Sequence, residues 1–251
     1  MHREATGLAG ARHIEYETVG STNAEALTRA RAGERGPLWI TARCQSAGRG
    51  RRGSTWVSAP GNLYATLLLT EPSAPEQAPQ LSFVAALALH DAVAQCAAAL
   101  GPMLTLKWPN DLLLGPAKLA GILIEGESEP AFAVAIGIGV NCAAHPADTA
   151  YPATDLKAAG ALVTPDQLFA ALSAAMQHRL EQWQCGEGFA GIRADWLKRA
   201  AGLGHGIRVR LPEREFSGRF EGLDEVGRLL VAGPAGVTAV TAGEVFGLGI
   251  R

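Results

Sequence analysis

Hydrophobic and polar positions alternate in two different ways along the chain, and the change falls near residue 204. Before that point, short apolar runs typical of strands are mixed with longer segments, of which the Ala-rich stretch 81–100 is the longest. From Gly206 onward only short apolar runs occur, with Gly, Pro and Asp between them. The pattern predicts an α+β domain over residues 1–203 and a small β domain over residues 204–251.

The first half of the chain predicts a sheet with few helices. A helix is expected from Ser21 to Gly33, because Thr22 and Glu25 have the spacing of a capping box, whereas the residues before Ser21 show no clear pattern. Residues 38–42 and 62–69 are predicted strands on either side of a Gly/Arg loop at 48–53. Further strands are predicted at 104–108, 112–114, 119–125 and 131–140, and the tight turns between them indicate an antiparallel or mixed sheet.

The second half predicts two more helices and then strands alone. Thr164 and Gln167 form a second capping-box pattern, with Pro165 at the first helical position, and an apolar stripe at helical spacing begins at Leu168. A further helix is expected over residues 189–201. Five short runs follow, at 207–211, 215–223, 229–231, 237–240 and 244–248, and they predict a small β-barrel.

Composition and charge exclude several classes of protein. With 22 Lys+Arg against 24 Asp+Glu, the net charge of -2 provides no general field that would attract nucleic acid or an anionic membrane. The amino-terminal segment lacks the apolar centre of a signal peptide, and His90 and Asp91 interrupt the most apolar stretch. The 4 cysteines are scattered without a metal-binding spacing. We therefore expect a cytoplasmic protein with reduced cysteines and no membrane span.

The densest chemical pattern is the segment Gln45–Trp56, in which arginines alternate with glycines between two predicted strands. Glycine lets the backbone approach a ligand, and arginine supplies a permanently charged fork of donors for a carboxylate or a phosphate. The spacing of Gly48, Gly50 and Gly53 also matches a dinucleotide-binding fingerprint, but no crossover helix follows. A flexible surface loop with solvated arginines is the alternative interpretation.

A second pattern is Lys107-Trp108-Pro109-Asn110-Asp111, followed by an apolar strand that Lys118 opens. Pro-Asn-Asp is a favourable turn, so Asn110 and Asp111 are explained by local capping on chemistry alone. Lys118 is either a surface lysine with its stem on apolar residues or a cation directed into a pocket.

Two further segments carry small polar side chains or glycines. Ser21-Thr22-Asn23 suits a helix cap, although the same side chains can bind a urea-like or amide-like ligand. Gly137-Ile138-Gly139-Val140-Asn141 leaves room for a ligand beside a strand, or for close packing inside the sheet.

Taken together and in chain order, these segments resemble the biotin protein ligases, also called biotin–[acetyl-CoA-carboxylase] ligases. The resemblance covers residues 21 to 141, and Trp56 after the Gly/Arg loop, the Lys107–Asp111 segment and Lys118-Leu119-Ala120-Gly121 are its most specific parts. It implies a class II synthetase-like biotin/lipoate ligase domain with a mixed or antiparallel sheet, followed by an SH3-like β-barrel.

The resemblance also implies the reaction. Biotin and ATP give biotinyl-5'-AMP and pyrophosphate, with Mg²⁺ neutralising the pyrophosphate, and the biotinyl group passes to one lysine of the carrier domain of acetyl-CoA carboxylase or a related carboxylase. Lys118 and Arg51 are the implied catalytic residues. The implied biotin-binding residues are Ser21, Thr22, Asn23, Gln45, Arg49, Gly50, Arg51 and Lys118. The implied ATP-binding and adenylate-binding residues are Arg51, Arg52, Trp56, Asn110, Asp111, Lys118 and Asn141, and no metal ligand is assigned.

The chain departs from the family in two respects. Family members that repress transcription carry a helix-turn-helix domain before the catalytic region, but Ser21 lies too near the start to leave room for one, so no DNA binding is expected. Family members also often carry an arginine shortly after a Gly-Glu pair near the end. Here Gly243-Glu244 is followed by Val-Phe-Gly-Leu, and the next arginine is Arg251.

Two alternative functions stay open at the level of sequence. Lipoate ligases and octanoyltransferases have a similar fold, although the arginine-rich loop favours biotin. A Gly/Arg loop with Trp56 could also bind single-stranded nucleic acid by phosphate contacts and stacking. The net negative charge and an aromatic content of only 6% are evidence against that module.

Overall fold

The computed structural model describes residues 10–147, 149 and 151–247. The helices are α1 (Thr22–Arg31), α2 (Leu81–Cys96), α3 (Pro165–Trp183) and α4 (Phe189–Leu197). The strands are β1 (Arg12–Val19), β2 (Leu38–Gln45), β3 (Leu63–Thr70), β4 (Leu104–Lys107), β5 (Asp111–Leu114), β6 (Ala117–Glu127), β7 (Ala133–Val140), β8 (Gly206–Arg210), β9 (Glu215–Leu223), β10 (Leu229–Gly233), β11 (Gly236–Val240) and β12 (Glu244–Phe246). The fold is α+β, as the sequence predicts.

Seven strands form a mixed sheet in the order β1-β2-β3-β7-β6-β5-β4. All neighbours are antiparallel except β1 and β2, which run parallel and are connected through α1. The tight turns between β4, β5, β6 and β7 place the Lys107–Asp111 segment beside the strand that carries Lys118. The topology therefore brings distant motifs to neighbouring strands.

Helices cover both faces of this sheet, and the alternation of side chains along the strands decides which face each residue joins. Trp39 and Leu67 belong to the large core under α2, α3 and α4. Leu38 and Leu68, one residue away on the same strands, pack with Ala26 and other residues of α1 on the opposite face.

The C-terminal strands form a five-stranded antiparallel sheet in the order β11-β10-β9-β8-β12. Its apolar side, which includes Val209 and Phe220, is continuous with the core around α2 and α4. Trp108 Nε1 donates a hydrogen bond of 3.2 Å to the carbonyl of Gly227, so a residue of the Lys107–Asp111 segment anchors the C-terminal sheet.

Two predictions of local structure are wrong. The residues before Ser21 contain strand β1, whose alternating residues are partly exposed at the sheet edge, so no continuous apolar run reveals it. The cap of α1 is Ser21, whose Oγ accepts the backbone N–H of Ala24, and not a Thr22–Glu25 box. Glu25 binds Tyr16 and Arg29 instead.

The second capping box is confirmed, because Thr164 and Gln167 exchange both hydrogen bonds at the start of α3. Residues 1–9 and 248–251, which belong to the two predicted domains and include Arg251, lie outside the described residues. In the part of the chain that the structure describes, every helix is too short or too polar to cross a lipid bilayer.

Candidate active site

A cleft of about 500 Å³ lies on the α1 face of the mixed sheet, where the loops after β2 and β7 meet the edge of the C-terminal sheet. All the site residues that the sequence and its resemblance indicate line this cleft. They are Ser21, Thr22, Asn23, Gln45, Arg49, Gly50, Arg51, Arg52, Trp56, Asn110, Asp111, Lys118 and Asn141. Segments up to 120 positions apart in the sequence are thus brought to one site.

Glycines on adjacent strands line the cleft. Gly121 of β6 pairs with Gly139 of β7, and the Trp56 ring lies against both of them. A Cβ atom on Gly139 would lie 2.6 Å from Trp56 Cε2, and one on Gly137 would lie 2.3 Å from Asn23 Oδ1. Real Cβ atoms do not approach so closely, so these glycines are needed for the positions of Trp56 and Asn23.

A polar cluster at the N-terminus of α1 occupies one end of the cleft. Gln45 Oε1 accepts the backbone N–H of Thr22 at 2.9 Å, and Gln45 Nε2 donates to Ser58 Oγ at 3.0 Å. Asn23 Nδ2 donates to the carbonyl of Leu123 and to Glu125. Because Thr22 and Asn23 are nearly fully buried, their side chains are held in fixed orientations.

The Gly/Arg loop covers this end of the cleft and is held by its own backbone. Gly50 N–H donates to the carbonyl of Ser54, and Trp56 N–H donates to the carbonyl of Gly48. Gly48 has no space for a side chain, since a Cβ there would lie 2.4 Å from the backbone carbonyl oxygen of Trp56, whereas a Cβ on Gly50 would meet only the Ser54 hydroxyl at 2.5 Å. Arg52 has a φ of 54°, in the left-handed region that a non-glycine residue seldom adopts.

The arginines of the loop have different partners. Arg49 forms an ion pair of 3.0 Å with Glu125, and its side chain is 44% exposed. Arg51 lies deeper, at 3.5 Å from both Asn110 Oδ1 and the carbonyl of Gly243. Burial, together with the charge of Arg52, lowers the pKa of Arg51. An anion placed in the cleft would therefore meet a guanidinium that is only weakly satisfied by neutral partners.

Two lysines of the cleft share one carboxylate. Lys118 Nζ lies 2.7 Å from Asp111 Oδ1, and Lys107 Nζ lies 3.9 Å from Asp111 Oδ2. Lys107 also lies 4.4 Å from the centre of the Tyr151 ring, and burial lowers the pKa of its ammonium group. Lys118 lies 5.5 Å from the centre of the Trp56 ring. This arrangement concentrates positive charge where an anionic ligand can reach it.

The remaining predicted side chains are held by backbone groups. Asn110 Nδ2 donates to the carbonyl of Ile122 at 2.6 Å, and Asn141 Nδ2 donates to the carbonyl of Thr154 at 3.0 Å. The segment around Thr154 also pairs with Lys118, whose N–H donates to Pro152 and whose carbonyl accepts from Thr154. The connection between β7 and α3 thus fixes the backbone on which Lys118 stands.

Lys107, Tyr151 and Glu244 also line the cleft, although they were not among the predicted site residues. Lys107 stands in the Lys107–Asp111 segment, and its charge was a signal that could have singled it out. Tyr151 lies in the connection between β7 and α3, where the sequence has no clear pattern, and its hydroxyl lies 3.4 Å from Glu244 at the edge of the C-terminal sheet. Burial and Glu244 raise the pKa of Tyr151 to about 12. No local sequence signal connects Tyr151 with Glu244.

No metal ligands were predicted from the sequence. Within the described residues, no group of three or more His, Cys, Asp or Glu side chains is arranged to hold a metal ion. Asp111, an acidic residue that lines the cleft, binds the two lysines.

Comparisons with known proteins agree along most of the chain. Residues 18–141 match the biotin/lipoate A/B protein ligase family, and residues 202–247 match the biotin protein ligase C-terminal domain. A biotin–[acetyl-CoA-carboxylase] ligase of Paracoccus denitrificans is 46% identical over 239 residues, which cover 90% of this chain and 96% of that protein.

Two solved structures have the same fold. The biotin protein ligase of Aquifex aeolicus in complex with biotin and ATP superposes with a TM-score of 0.80 at 24% identity, covering 94% of this chain and 97% of that one. The biotin protein ligase of Leishmania major in complex with biotinyl-5-AMP superposes with a TM-score of 0.67 at 27% identity, covering 92% of this chain and 99% of that one.

Proposed function

Since the chain belongs to the biotin protein ligase family, we propose that it is an ATP-dependent ligase that converts biotin into biotinyl-5'-AMP and then transfers the biotinyl group to a protein lysine. Biotin and ATP are its substrates. The acceptor is a lysine of a biotin carboxyl carrier domain, as the name of the Paracoccus relative indicates for that protein.

The observation that carries this proposal is the convergence of the motifs on one cleft. A buried polar cluster around Thr22 and Gln45 lies at the N-terminus of α1, and the cations Arg51, Lys107 and Lys118 line the same cleft. A ligand with a polar, uncharged head and a carboxylate tail fits a cleft that offers both groups. The lysines are then available to the carboxylate and to the phosphates of ATP.

The chemistry requires two anions to react with each other. The carboxylate oxygen of biotin attacks the α-phosphorus of ATP, the bond to the β-phosphate oxygen breaks, and pyrophosphate leaves. At an effective dielectric near 20, each cation about 4 Å from such an anion contributes about 4 kcal/mol of pair energy. Lys118 and Arg51 are proposed to hold the biotin carboxylate and the α-phosphate of ATP close together. The attack between the two bound molecules is then effectively a unimolecular step.

The individual assignments follow the family resemblance, and they are supported by the fact that all of these residues line one cleft. Ser21, Thr22, Asn23, Gln45, Arg49 and Gly50 are proposed to contact biotin, with Arg51 and Lys118 at its carboxylate. Arg51, Arg52, Trp56, Asn110, Asp111, Lys118 and Asn141 are proposed to line the nucleotide side. Asp111 acts there through its two lysines, because both of its oxygens face them.

Magnesium is proposed to enter with the nucleotide, bound to the phosphates of ATP. It supplies positive charge to the leaving pyrophosphate. The described residues are consistent with this arrangement, since the Asp111 carboxylate in the cleft is already paired with Lys118 and Lys107.

The second step needs no covalent bond to this chain. The carrier lysine, once deprotonated, attacks the carbonyl carbon of the adenylate, and AMP leaves with the bonding electron pair. We propose a domain division after residue 203, which the family match of residues 202–247 supports, and a cytoplasmic location, where ATP and carboxylases are both present.

Pyrophosphate release tests the proposed function. The purified chain should release pyrophosphate only when biotin, ATP and Mg²⁺ are all present, and biotinyl-5'-AMP should appear in equal amount. Faster release with lipoate or octanoate would favour the lipoate ligase alternative. Salt-sensitive RNA binding without biotin-dependent release would favour the single-stranded nucleic-acid alternative.

A further inference from the structure

Thr66 lies in the middle of β3 and is fully buried. It pairs across the sheet with Gly137, whose missing side chain makes space for Asn23. Thr66 Oγ1 lies 2.7 Å from Asn23 Oδ1 and 2.8 Å from Thr22 Oγ1. Thr66 is not among the residues that line the cleft, yet it touches two that do.

The direction of the hydrogen bonds around Thr66 follows from neighbouring groups that can only donate or only accept. Asn23 Nδ2 faces two pure acceptors, the Leu123 carbonyl and Glu125, so Oδ1 must be the atom that faces Thr66. A threonine hydroxyl has one hydrogen, and Asn23 Oδ1 can only accept. If Thr66 gave its hydrogen to Thr22, the buried Asn23 Oδ1 would lose this donor, which is costly.

We propose that Thr66 is a positioning residue for the biotin head: it donates to Asn23 and accepts the hydroxyl hydrogen of Thr22, so that Thr22 Oγ1 presents lone pairs to the cleft. The inference rests on the proposed function and extends it to a residue that biotin does not touch. Thr22 Oγ1 is 3.2 Å from Gln45 Oε1, a longer contact than its 2.8 Å to Thr66, so the inward direction is the better hydrogen bond.

The result is a defined set of donors and acceptors. Gln45 Oε1 already faces an obligate donor, the N–H of Thr22, and so is fixed as the oxygen. Ser21 Oγ accepts from Ala24, which leaves its own hydrogen for a ligand carbonyl. Two acceptors beside one donor match a cyclic urea, which has two N–H groups and one carbonyl, and do not match an aliphatic or dithiolane head.

The test compares four variants with the wild type. Thr66→Val has nearly the same shape without the hydroxyl, and Thr66→Ser restores the hydroxyl. Thr105→Val on β4 makes the same chemical change at a threonine whose buried hydroxyl has no hydrogen-bond partner among the described residues. Lys157→Gln changes an exposed lysine and reports any general effect of substitution.

Biotin affinity and ATP affinity are measured separately by calorimetry, with desthiobiotin, which retains the urea, as a second probe. Thr66→Val should weaken both urea-containing ligands by about tenfold or more and leave ATP within about twofold, while Thr66→Ser stays within about threefold of the wild type for all three. If Thr66→Val binds biotin as tightly as Thr105→Val does, the proposal is wrong. It is also wrong if Thr66→Val loses affinity for biotin and for ATP by the same factor.

A second readout does not depend on the proposed function. Nuclear magnetic resonance follows hydrogen exchange of the Asn23 side-chain amide, which should be slow in the wild type and in Thr66→Ser, and fast in Thr66→Val. If the wild type binds no biotin, the proposed function fails. The exchange rate of the Asn23 amide then still decides whether Thr66 orients Asn23. Unchanged exchange in Thr66→Val would show that Thr66 does not orient Asn23.

Discussion

Lys118 Nζ and Asp111 Oδ1 lie 2.7 Å apart on neighbouring strands, and this pair joins the two motifs that sequence resemblance connects with adenylate formation. The side chain of Asp111 is only 14% exposed, whereas that of Lys118 is 30% exposed. The carboxylate is therefore the more buried partner of the pair, and the lysine is the partner that a ligand in the cleft can reach more easily.

Loss of the Lys118 charge should impair the first half-reaction most. Lys118→Gln keeps much of the length of the side chain and should slow formation of biotinyl-5'-AMP by about tenfold or more, which corresponds to about 1.4 kcal/mol. Transfer from added biotinyl-5'-AMP should change less. Single-turnover measurements of each step separate these effects, with Lys157→Gln as the control, and an equal loss in both steps would indicate a shared binding role instead.

Asp111 should be as important for adenylate formation as Lys118, with which it forms an ion pair. Asp111→Asn keeps the shape but leaves Lys118 and the buried Lys107 without their shared counter-charge, so adenylate formation should fall by about tenfold. Asp166→Asn is the matched control, because that carboxylate is 73% exposed and its ion pair with Arg43 is at the surface. Equal rates in the two variants would contradict the role given to Asp111.

Alkaline pH should weaken the interaction with ATP. Burial lowers the pKa of Lys107, so this ammonium loses its proton at a lower pH than an exposed lysine does. If Lys107 binds phosphate, kcat/KM for ATP falls as the pH rises through that lowered pKa. Lys107→Arg keeps its charge and should remove this part of the profile, whereas an unchanged profile in Lys107→Arg would assign the titration to another group.

The Gly/Arg loop should retain the reactive adenylate. Arg51 is held at 3.5 Å by Asn110 and by Gly243 of the C-terminal sheet, so Arg51→Gly removes a contact between the loop and both walls of the cleft. The variant should release biotinyl-5'-AMP faster and label unrelated proteins more, provided that adenylation survives. Arg214→Gly, an exposed arginine outside the cleft, is the control.

Protease cleavage within residues 49–53 reports directly whether the Gly/Arg loop becomes ordered when ligands bind. We expect cleavage to slow when biotin and ATP are added, because the arginines gain anionic partners. Ordering of the loop over the adenylate would make it a lid. Unchanged cleavage, together with unchanged adenylate release from Arg51→Gly, would show instead that the loop is a fixed electrostatic contact.

The sequence predicts those parts of the site that depend on local chemistry. Glycines in short motifs, such as Gly48 and Gly139, can be recognised without any knowledge of the fold, and the structure shows that a side chain would not fit at either position. Charged residues in short motifs, such as Lys118, can be recognised in the same way. The strands from β4 to β7 are also predictable, because tight turns separate clear apolar runs.

The parts that were missed depend on contacts between distant segments. Strand β1 is hidden because its exposed edge residues break the apolar pattern. Thr66 looks like an ordinary strand residue within an apolar run, and only the sheet register places it under Thr22 and Asn23. Tyr151 and Glu244 meet across 93 positions of sequence, a distance over which a local pattern carries no information.

The most direct test of the proposed ligase activity is the mass of an acceptor protein. A biotin carboxyl carrier domain is incubated with the purified chain, biotin, ATP and Mg²⁺, and its intact mass and its modified residue are determined by mass spectrometry. The proposed function predicts one added biotinyl group on a single lysine, with no addition when ATP or biotin is left out. A carrier domain of unchanged mass, under conditions in which a known biotin protein ligase modifies it fully, would contradict the proposed function.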